Sequence, residues 1–354
     1  MNSSVDKIKT FTILCEQGLI HSYLIETLIS KGWKYIPFEE LYLSNSYMYV
    51  DFAWFGANIG KDYLKYDPRI YQVNTYIKNL IVGSGVRGET KDKDIITNKH
   101  SLYHQFNKQF PEVCSKHLCD SIDINEIENV DNSDVLILRP VGSGAGGGAY
   151  VNVITTTNQL NYFKRRLNRF PYVLVSKYIK NPMLINLTKF HLRILWVVYP
   201  DRNGNYQHRY YPYGKIITAK NVFKNGDYSN PDIHDTHFKS TYVNRYFPED
   251  LKSSNHLSDE IISNLYKQIH LILECAFSII KPHIHSFQES KYGFEVFGCD
   301  FMITDDNIIK LLEINARHDY GVDDLQKVNP EGFKEFCRGF YNWICDIVIL
   351  PMFD

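Results

Sequence analysis

The sequence predicts an α/β (α+β) protein, and three stretches carry that prediction. Residues 9–60 run as strand, helix and further extended pieces. From Asp134 the order becomes strand, glycine loop, strand, helix, strand. Phe294–Arg317 has two apolar arms around Asp305-Asp306-Asn307, which is the chemistry of a hairpin turn. A chain of 354 residues can bury a large core and divide into two or three subdomains.

Taken in order, KTFTILCE reads as a strand, His21–Lys31 as a helix, and GWKYIPF and YMYVDFAWF as extended. A helix is expected from Asp67 to Ile81, then a Gly-rich, charged linker over Val82–Asp92, then a helix over Lys99–Phe110. DVLILRP and YVLVSKYI are strands, and AYVNVIT alternates with β-branched residues as a strand does. A helix near Gln159–Arg169 separates AYVNVIT from YVLVSKYI. Two long segments follow, HLRILWVVYP as a strand and YYPYGKIITAK with NVFKN. Helices over Ser258–Ile280 and Glu331–Val348 flank the hairpin. The expected divisions are residues 1–85, 86–180 and 181–354.

Hydrophobic content of 44% and charged content of 22% are ordinary for a soluble globular chain. A net charge of −1 gives no general reason to expect nucleic acid or an anionic membrane as partner. The first residues lack the apolar core of a secretion signal, and no run of 18 apolar residues occurs. Seven scattered cysteines without a CxxC fit free thiols in a reducing, cytoplasmic setting. Cys114, His117 and Cys119 cluster, as do His283 and His285, but neither group has a second half at zinc spacing. Lys164-Arg165-Arg166 with Arg169 reads as a solvated basic helix face.

The hairpin carries the sharpest functional signal. With Asp306-Asn307 as a two-residue turn, Asp305 pairs with Ile308, and counting outward sets Asp300 opposite Glu313. Asn315 then shares a face with Glu313. Facing residues have Cβ atoms roughly 4.5–5.5 Å apart, so two acids there repel unless a cation lies between them. Oxygen-only donors of this kind suit Mg²⁺.

Gly142–Gly148 contains GxGxxG, yet a dinucleotide site requires a helix after that loop. Here a strand follows, so a glycine flap between two antiparallel strands over a triphosphate fits better. Arg139, Lys177, Lys189 and Arg193 bracket the flap, supplying the fixed cations such a ligand needs.

In that order the motifs resemble the tubulin–tyrosine ligase-like family of ATP-grasp enzymes, and the likeness covers most of the chain. Its carriers are Arg139-Pro140 with the glycine loop, Val175–Ile185, Lys189-Phe190-His191-Leu192-Arg193, and the paired FEVFGCDFMI and LLEINA. The resemblance implies an ATP-grasp fold, with nucleotide held between two α+β subdomains behind a small N-terminal α/β domain. It implies Mg²⁺ on Asp300, Glu313 and Asn315. ATP would be held by Arg139, Gly144, Gly146, Gly147, Lys177, His191 and Lys99, with the Tyr178-Ile179 backbone along the adenine. Lys189 and Arg193 would meet phosphate or the developing acyl phosphate, and Arg317, in an E-x-N-x-R ending similar to that of some other ATP-grasp enzymes, could supply a missing cation or form a surface salt bridge. The implied reaction is ligation: a carboxylate takes the γ-phosphoryl group of ATP, and an amine captures the acyl phosphate as an amide. An amino acid and a protein or peptide acceptor, tubulin among the candidates, would be the partners of this post-translational modification. Three positions depart from the pattern. His191 replaces an aspartate, Ile217 an arginine, and HFKS (His237–Ser240) replaces HLTN. These departures keep open an ATP-binding pseudoenzyme or interaction module without ligase activity.

Overall fold

The computed structural model describes residues 8–14, 19–37, 40, 50–55, 94–131, 133–141, 152–168, 172–234, 245–284, 294–315 and 330–353. The helix expected over 67–81, the linker over 82–92, and the loop over 142–151 lie outside the described residues, as do Arg317 and His237–Ser240.

Among the described residues three sheets organise the chain. In the first, β1 (Thr10–Leu14) lies between β2 (Lys34–Tyr35) and β3 (Phe52–Phe55), all parallel, with α1 (Leu19–Ser30) crossing between β1 and β2. In the second, β4 (Ser121–Asp123), β5 (Leu136–Val141), β6 (Asn152–Ile154) and β7 (Tyr172–Lys177) pair antiparallel in the order β4-β7-β5-β6. The glycine loop therefore joins two antiparallel strands, β5 and β6, as its sequence context suggests. The helix after β6 is Thr157–Arg166, three residues shorter at its C-terminus than expected. Thr156 starts it with a reciprocal capping box to Gln159.

The third sheet is built on β9 (Thr188–Pro200). On one side it pairs with β10 (Tyr206–Val222), which carries β11 (Arg245–Phe247). On the other it pairs with β12 (Glu295–Ile303), which carries β13 (Ile309–Asn315). A short β8 (Leu184–Ile185) folds back onto the start of β9. Alternate β9 side chains enter different cores, as a period of two requires. Phe190, Leu192, Ile194, Trp196 and Val198 meet the long helix Asp259–Ile284. Leu195, Val197 and Tyr199 meet the first sheet and the C-terminal helix Pro330–Ile344. Trp54, Phe294 and Tyr341 close that second core with ring centroids 5.5 and 5.8 Å apart around Trp54. Among the described residues no helix is long and apolar enough to cross a membrane.

Residues 94–117 hold short helices whose Ile96, Leu102, Phe106 and Cys114 pack in the core of the third sheet. His117 hydrogen-bonds the Ile309 carbonyl through Nδ1, and burial raises the Cys114 thiol to about 11. Both groups serve packing there.

The hairpin turn differs from expectation by one residue. Thr304 and Ile308 close a three-residue loop, Asp305-Asp306-Asn307, with Asn307 left-handed at φ 63°. Ile303 thus pairs with Ile309, one step off the expected register. A bulge at Leu312 then restores it, so Asp300 does oppose Glu313. The two departures cancel.

Gly339 on the C-terminal helix sits where any Cβ would collide with the Tyr211 hydroxyl. Phe336, Phe340 and Trp343 ring Tyr211 at centroid distances of 5.5–5.6 Å, leaving it little room to retreat. Gly339→Ala is therefore expected to destabilise the protein by about 1–3 kcal/mol in urea unfolding, despite the better helix former. Adding Tyr211→Phe should recover most of that loss. If the double variant unfolds no later than Gly339→Ala alone, the collision is not the cause.

Candidate active site

Five strands bring one residue each into a single cross-sheet row: Tyr246, Lys215, Arg193, Asp300 and Glu313 are successive register partners. Directly opposed residues share a face. Arg193, His191 and Lys189 occupy alternate positions of β9 and join it from the same side.

Asp300 lies at the centre and is 1% exposed. Arg193 grips it with two parallel bonds, Nε to Oδ1 at 2.8 Å and Nη2 to Oδ2 at 2.7 Å. This bidentate geometry is the strongest pairing a carboxylate makes with a side chain. Asn315 spans both acids, its Nδ2 lying 3.2 Å from Asp300 Oδ2 and 3.0 Å from Glu313 Oε1. Lys99 pairs with Glu313 from the first turn of a helix that Asn98 caps. Nε2 of the buried His191 lies 3.7 Å from Asp300 Oδ1.

Among the described residues no three His, Cys, Asp or Glu side chains are arranged to hold a metal. The set here is two carboxylates and an amide. One amide nitrogen touches both carboxylates, so the three side chains converge on one small spot, and a half-turn of the amide offers its oxygen instead. Hard oxygen donors in that arrangement fit Mg²⁺.

Lys189 is 1% exposed. Its Nζ donates to the Tyr178 hydroxyl at 3.1 Å and lies 4.3 Å from that ring's centre. Burial depresses its pKa to about 7, which the nearby Cys119 opposes. Lys177 behaves differently: its side chain is 69% exposed and bonds Asp120 at 2.7 Å, which raises its pKa. The Tyr178 backbone N–H donates to the Val135 carbonyl, and Ile179 follows in the segment leading to β8. Arg139 lies on β5 opposite Leu174. Gly144, Gly146, Gly147 and Arg317 are outside the described residues. Ile217 stands beside His191 and Lys215 beside Arg193, so the row's next cation is Lys215, buried against Phe333 and Phe336. Sequence reasoning did not single out Asp120, Tyr246 or His234, because each acts across elements distant in the chain.

The model of the Tubulin-tyrosine ligase family matches residues 94–326, well over half of the chain. The chain belongs to that family. Over 187 residues it is 24% identical to a "probable tubulin–tyrosine ligase" of Schizosaccharomyces pombe, covering 51% of this chain and 43% of that protein. It is 27% identical over 172 residues to the "probable tubulin–tyrosine ligase PBY1" of Saccharomyces cerevisiae, covering 44% and 22%. Over 210 residues it is 28% identical to the mouse tubulin polyglutamylase TTLL5, covering 51% and 14%. The matches thus span less than half the length of each of these relatives. A solved structure, the C-terminal domain of K. lactis Pby1, superposes with a TM-score of 0.64 at 18% identity, covering 98% of this chain and 94% of that one. It is described as an ATP-grasp enzyme that interacts with the mRNA decapping enzyme Dcp2, and the likeness assigns the ATP-grasp fold.

A neutral lysine in the folded state against a charged one in the unfolded state makes stability rise with pH between about 7 and 10.5. Below about 7 both states bind the proton and the cost is constant. Lys189→Met should therefore raise the unfolding midpoint of the ligand-free protein most at pH 7 and below. The gain should fade toward pH 10.5, as measured by urea melts across that range.

Proposed function

We propose that the chain is an ATP- and Mg²⁺-dependent carboxylate–amine ligase that joins an amino acid to a protein or peptide. The family and the ATP-grasp fold support an ATP-dependent, ligase-like function. The observation that carries the finer reading is the convergence of Asp300, Glu313 and Asn315 beside Arg193 and Lys99.

Asp300, Glu313 and Asn315 would hold Mg²⁺, which when bound supplies positive charge against the β- and γ-phosphates. Arg193 pairs with Asp300 and aims it, and its planar fork matches a phosphoryl group as well as a carboxylate. Lys189 offers a cation from a dry site, where electrostatic attraction is strong. The acceptor carboxylate attacks the γ-phosphorus, the bond to ADP breaks, and an acyl phosphate forms. The incoming amine attacks the acyl carbon, phosphate leaves, and the nitrogen loses a proton. The flap over 142–151 and Arg139 are proposed to cover the phosphates. The divisions 1–85, 86–180 and 181–354 are proposed to be the N-terminal domain and the two halves of the grasp.

Tubulin tails are one candidate acceptor, from the names of the fission yeast and mouse relatives. A protein of mRNA decapping is a second candidate partner, from the K. lactis neighbour. The reading of a nucleotide-binding module without ligation has its own support. Arg193 occupies both oxygens of Asp300, and a hydrocarbon, Ile217, faces His191 where an arginine is expected.

Incubation with ATP, Mg²⁺, an amino-acid panel and acidic peptides, following ADP release, is expected to show acceptor-dependent turnover. Glu313→Gln should lower it by about 10- to 100-fold, the scale on which metal-site support is lost. No turnover with any acceptor, together with a Glu313→Gln variant no worse than wild type, would sink the ligase reading.

ATP should raise the melting temperature more with Mg²⁺ than without. Asp300→Asn should remove that difference while leaving the metal-independent part. Persistence of the full Mg²⁺ effect in Asp300→Asn would remove Asp300 from the metal set.

A further inference from the structure

We propose that His234 is a positioning residue for Lys189, acting through the phenol of Tyr178, so that the buried amine stays aimed for a phosphate-bearing nucleotide. This rests on the reading above of Lys189 as a phosphate contact. The three residues come from three places. Tyr178 directly follows β7 of the four-stranded sheet, Lys189 begins β9 of the large sheet, and His234 ends the short helix Pro231–His234 after β10.

Their hydrogen bonds run in one direction. His234 Nε2 lies 2.8 Å from the Asp227 carbonyl, an acceptor only, so that nitrogen carries the proton. Nδ1 is then bare and accepts from the Tyr178 hydroxyl at 2.8 Å. With its proton committed there, the phenol oxygen turns a lone pair to the Lys189 amine at 3.1 Å. Tyr228 packs on both rings, at 5.6 Å from Tyr178 and 6.1 Å from His234, and fixes their planes. Burial lowers the pKa of His234, the Asp227 contact opposing this and Lys189 adding to it, so the imidazole stays neutral at pH 7. Burial also raises that of Tyr178, which keeps its proton.

A purely structural role explains this arrangement poorly. Lys189, Tyr178 and His234 are 1%, 6% and 6% exposed. Among the described residues the groups facing the amine are the Tyr178 hydroxyl and ring, the Phe223 ring at 5.7 Å, the Cys119 thiol and, beyond the phenol, His234. No carboxylate pairs with it among the described residues. A methionine would fill the same space without the cost of burying an ammonium. An amine held by a neutral acceptor, with no anion beside it among the described residues, is arranged for an anion that a ligand brings.

The test is calorimetric binding of Mg²⁺–ATP and of adenosine to the full chain between pH 6 and 9, in wild type, Lys189→Met, Tyr178→Phe, His234→Leu and His234→Gln. Wild-type affinity for Mg²⁺–ATP should weaken as pH rises past about 7, where the lysine must recruit its proton. Lys189→Met should bind about 10-fold more weakly and lose that pH dependence. In His234→Leu the phenol proton is released to turn onto the amine and favour its neutral form. The alkaline limb should then move to lower pH, with affinity about 5-fold down at pH 7. Tyr178→Phe should do likewise by removing the acceptor. His234→Gln, whose amide oxygen accepts from the phenol, should keep the wild-type limb, and adenosine should bind every variant alike. A wild-type profile in both Tyr178→Phe and His234→Leu, alongside a loss in Lys189→Met, overturns the relay and spares the lysine's role. Equal binding by Lys189→Met and wild type overturns the phosphate contact itself.

Discussion

One extra residue in β13 sets the geometry on which the site depends. Before the bulge at Leu312, Ile309 and Leu311 face the core under the long helix. After it, Ile314 takes that core face, and Glu313 and Asn315 turn to the side of Asp300. A strand displaced by one residue shows every side chain to the opposite face, so without the bulge Glu313 would point into hydrocarbon. The bulge costs ladder regularity. In exchange, two carboxylates and an amide meet at one place, and Arg193 and Lys99 can neutralise them.

That neutralisation is needed because Asp300 is nearly inaccessible to water. An isolated carboxylate there would protonate or disrupt the packing. The Arg193 fork holds both its oxygens, and Asn315 adds a third bond. Breaking such a buried pair by removing one partner costs about 3–5 kcal/mol, far more than a surface ion pair is worth. The clamp therefore belongs to the fold as much as to any reaction. It also fixes β9 against β12, whose nine residues are all buried.

Much of this was legible in the sequence. The acids of the hairpin and the side that Glu313 and Asn315 share follow from alternation, whereas the pairing of Asp300 with Glu313 is reached only because two departures from the expected register cancel. The turn itself was misjudged: Asn307 takes the left-handed position of a three-residue loop, and the error was hidden by the bulge beyond it. β9 also announced itself. KFHLR alternates polar with apolar where one face lines the candidate site, and ILWVVY runs unbroken where both faces are core. Contacts between distant segments were not legible. Nothing local to Tyr178 says that its side chain reaches His234, 56 residues on, while its backbone serves the segment between two sheets. The motif places Lys177 among the expected nucleotide contacts, yet it faces solvent and Asp120.

The charges of the site divide unevenly. Among the described residues Asp300 and Glu313 are matched by Arg193 and Lys99 within direct contact. Had position 191 held an acid, a third negative charge would lie beside Asp300. A histidine there leaves the acid cluster balanced by the protein's own cations. Lys189 stands apart from this account, on the same face of β9 but paired to a phenol. A buried site with compensated acids and a cation that meets only neutral groups among the described residues has a net preference for negative charge. The preference arises from the unpaired term, since matched pairs in a dry interior add little to the field beyond their own contact. The polarity of the Tyr178 bond preserves that term by presenting a lone pair, not a proton, to the amine.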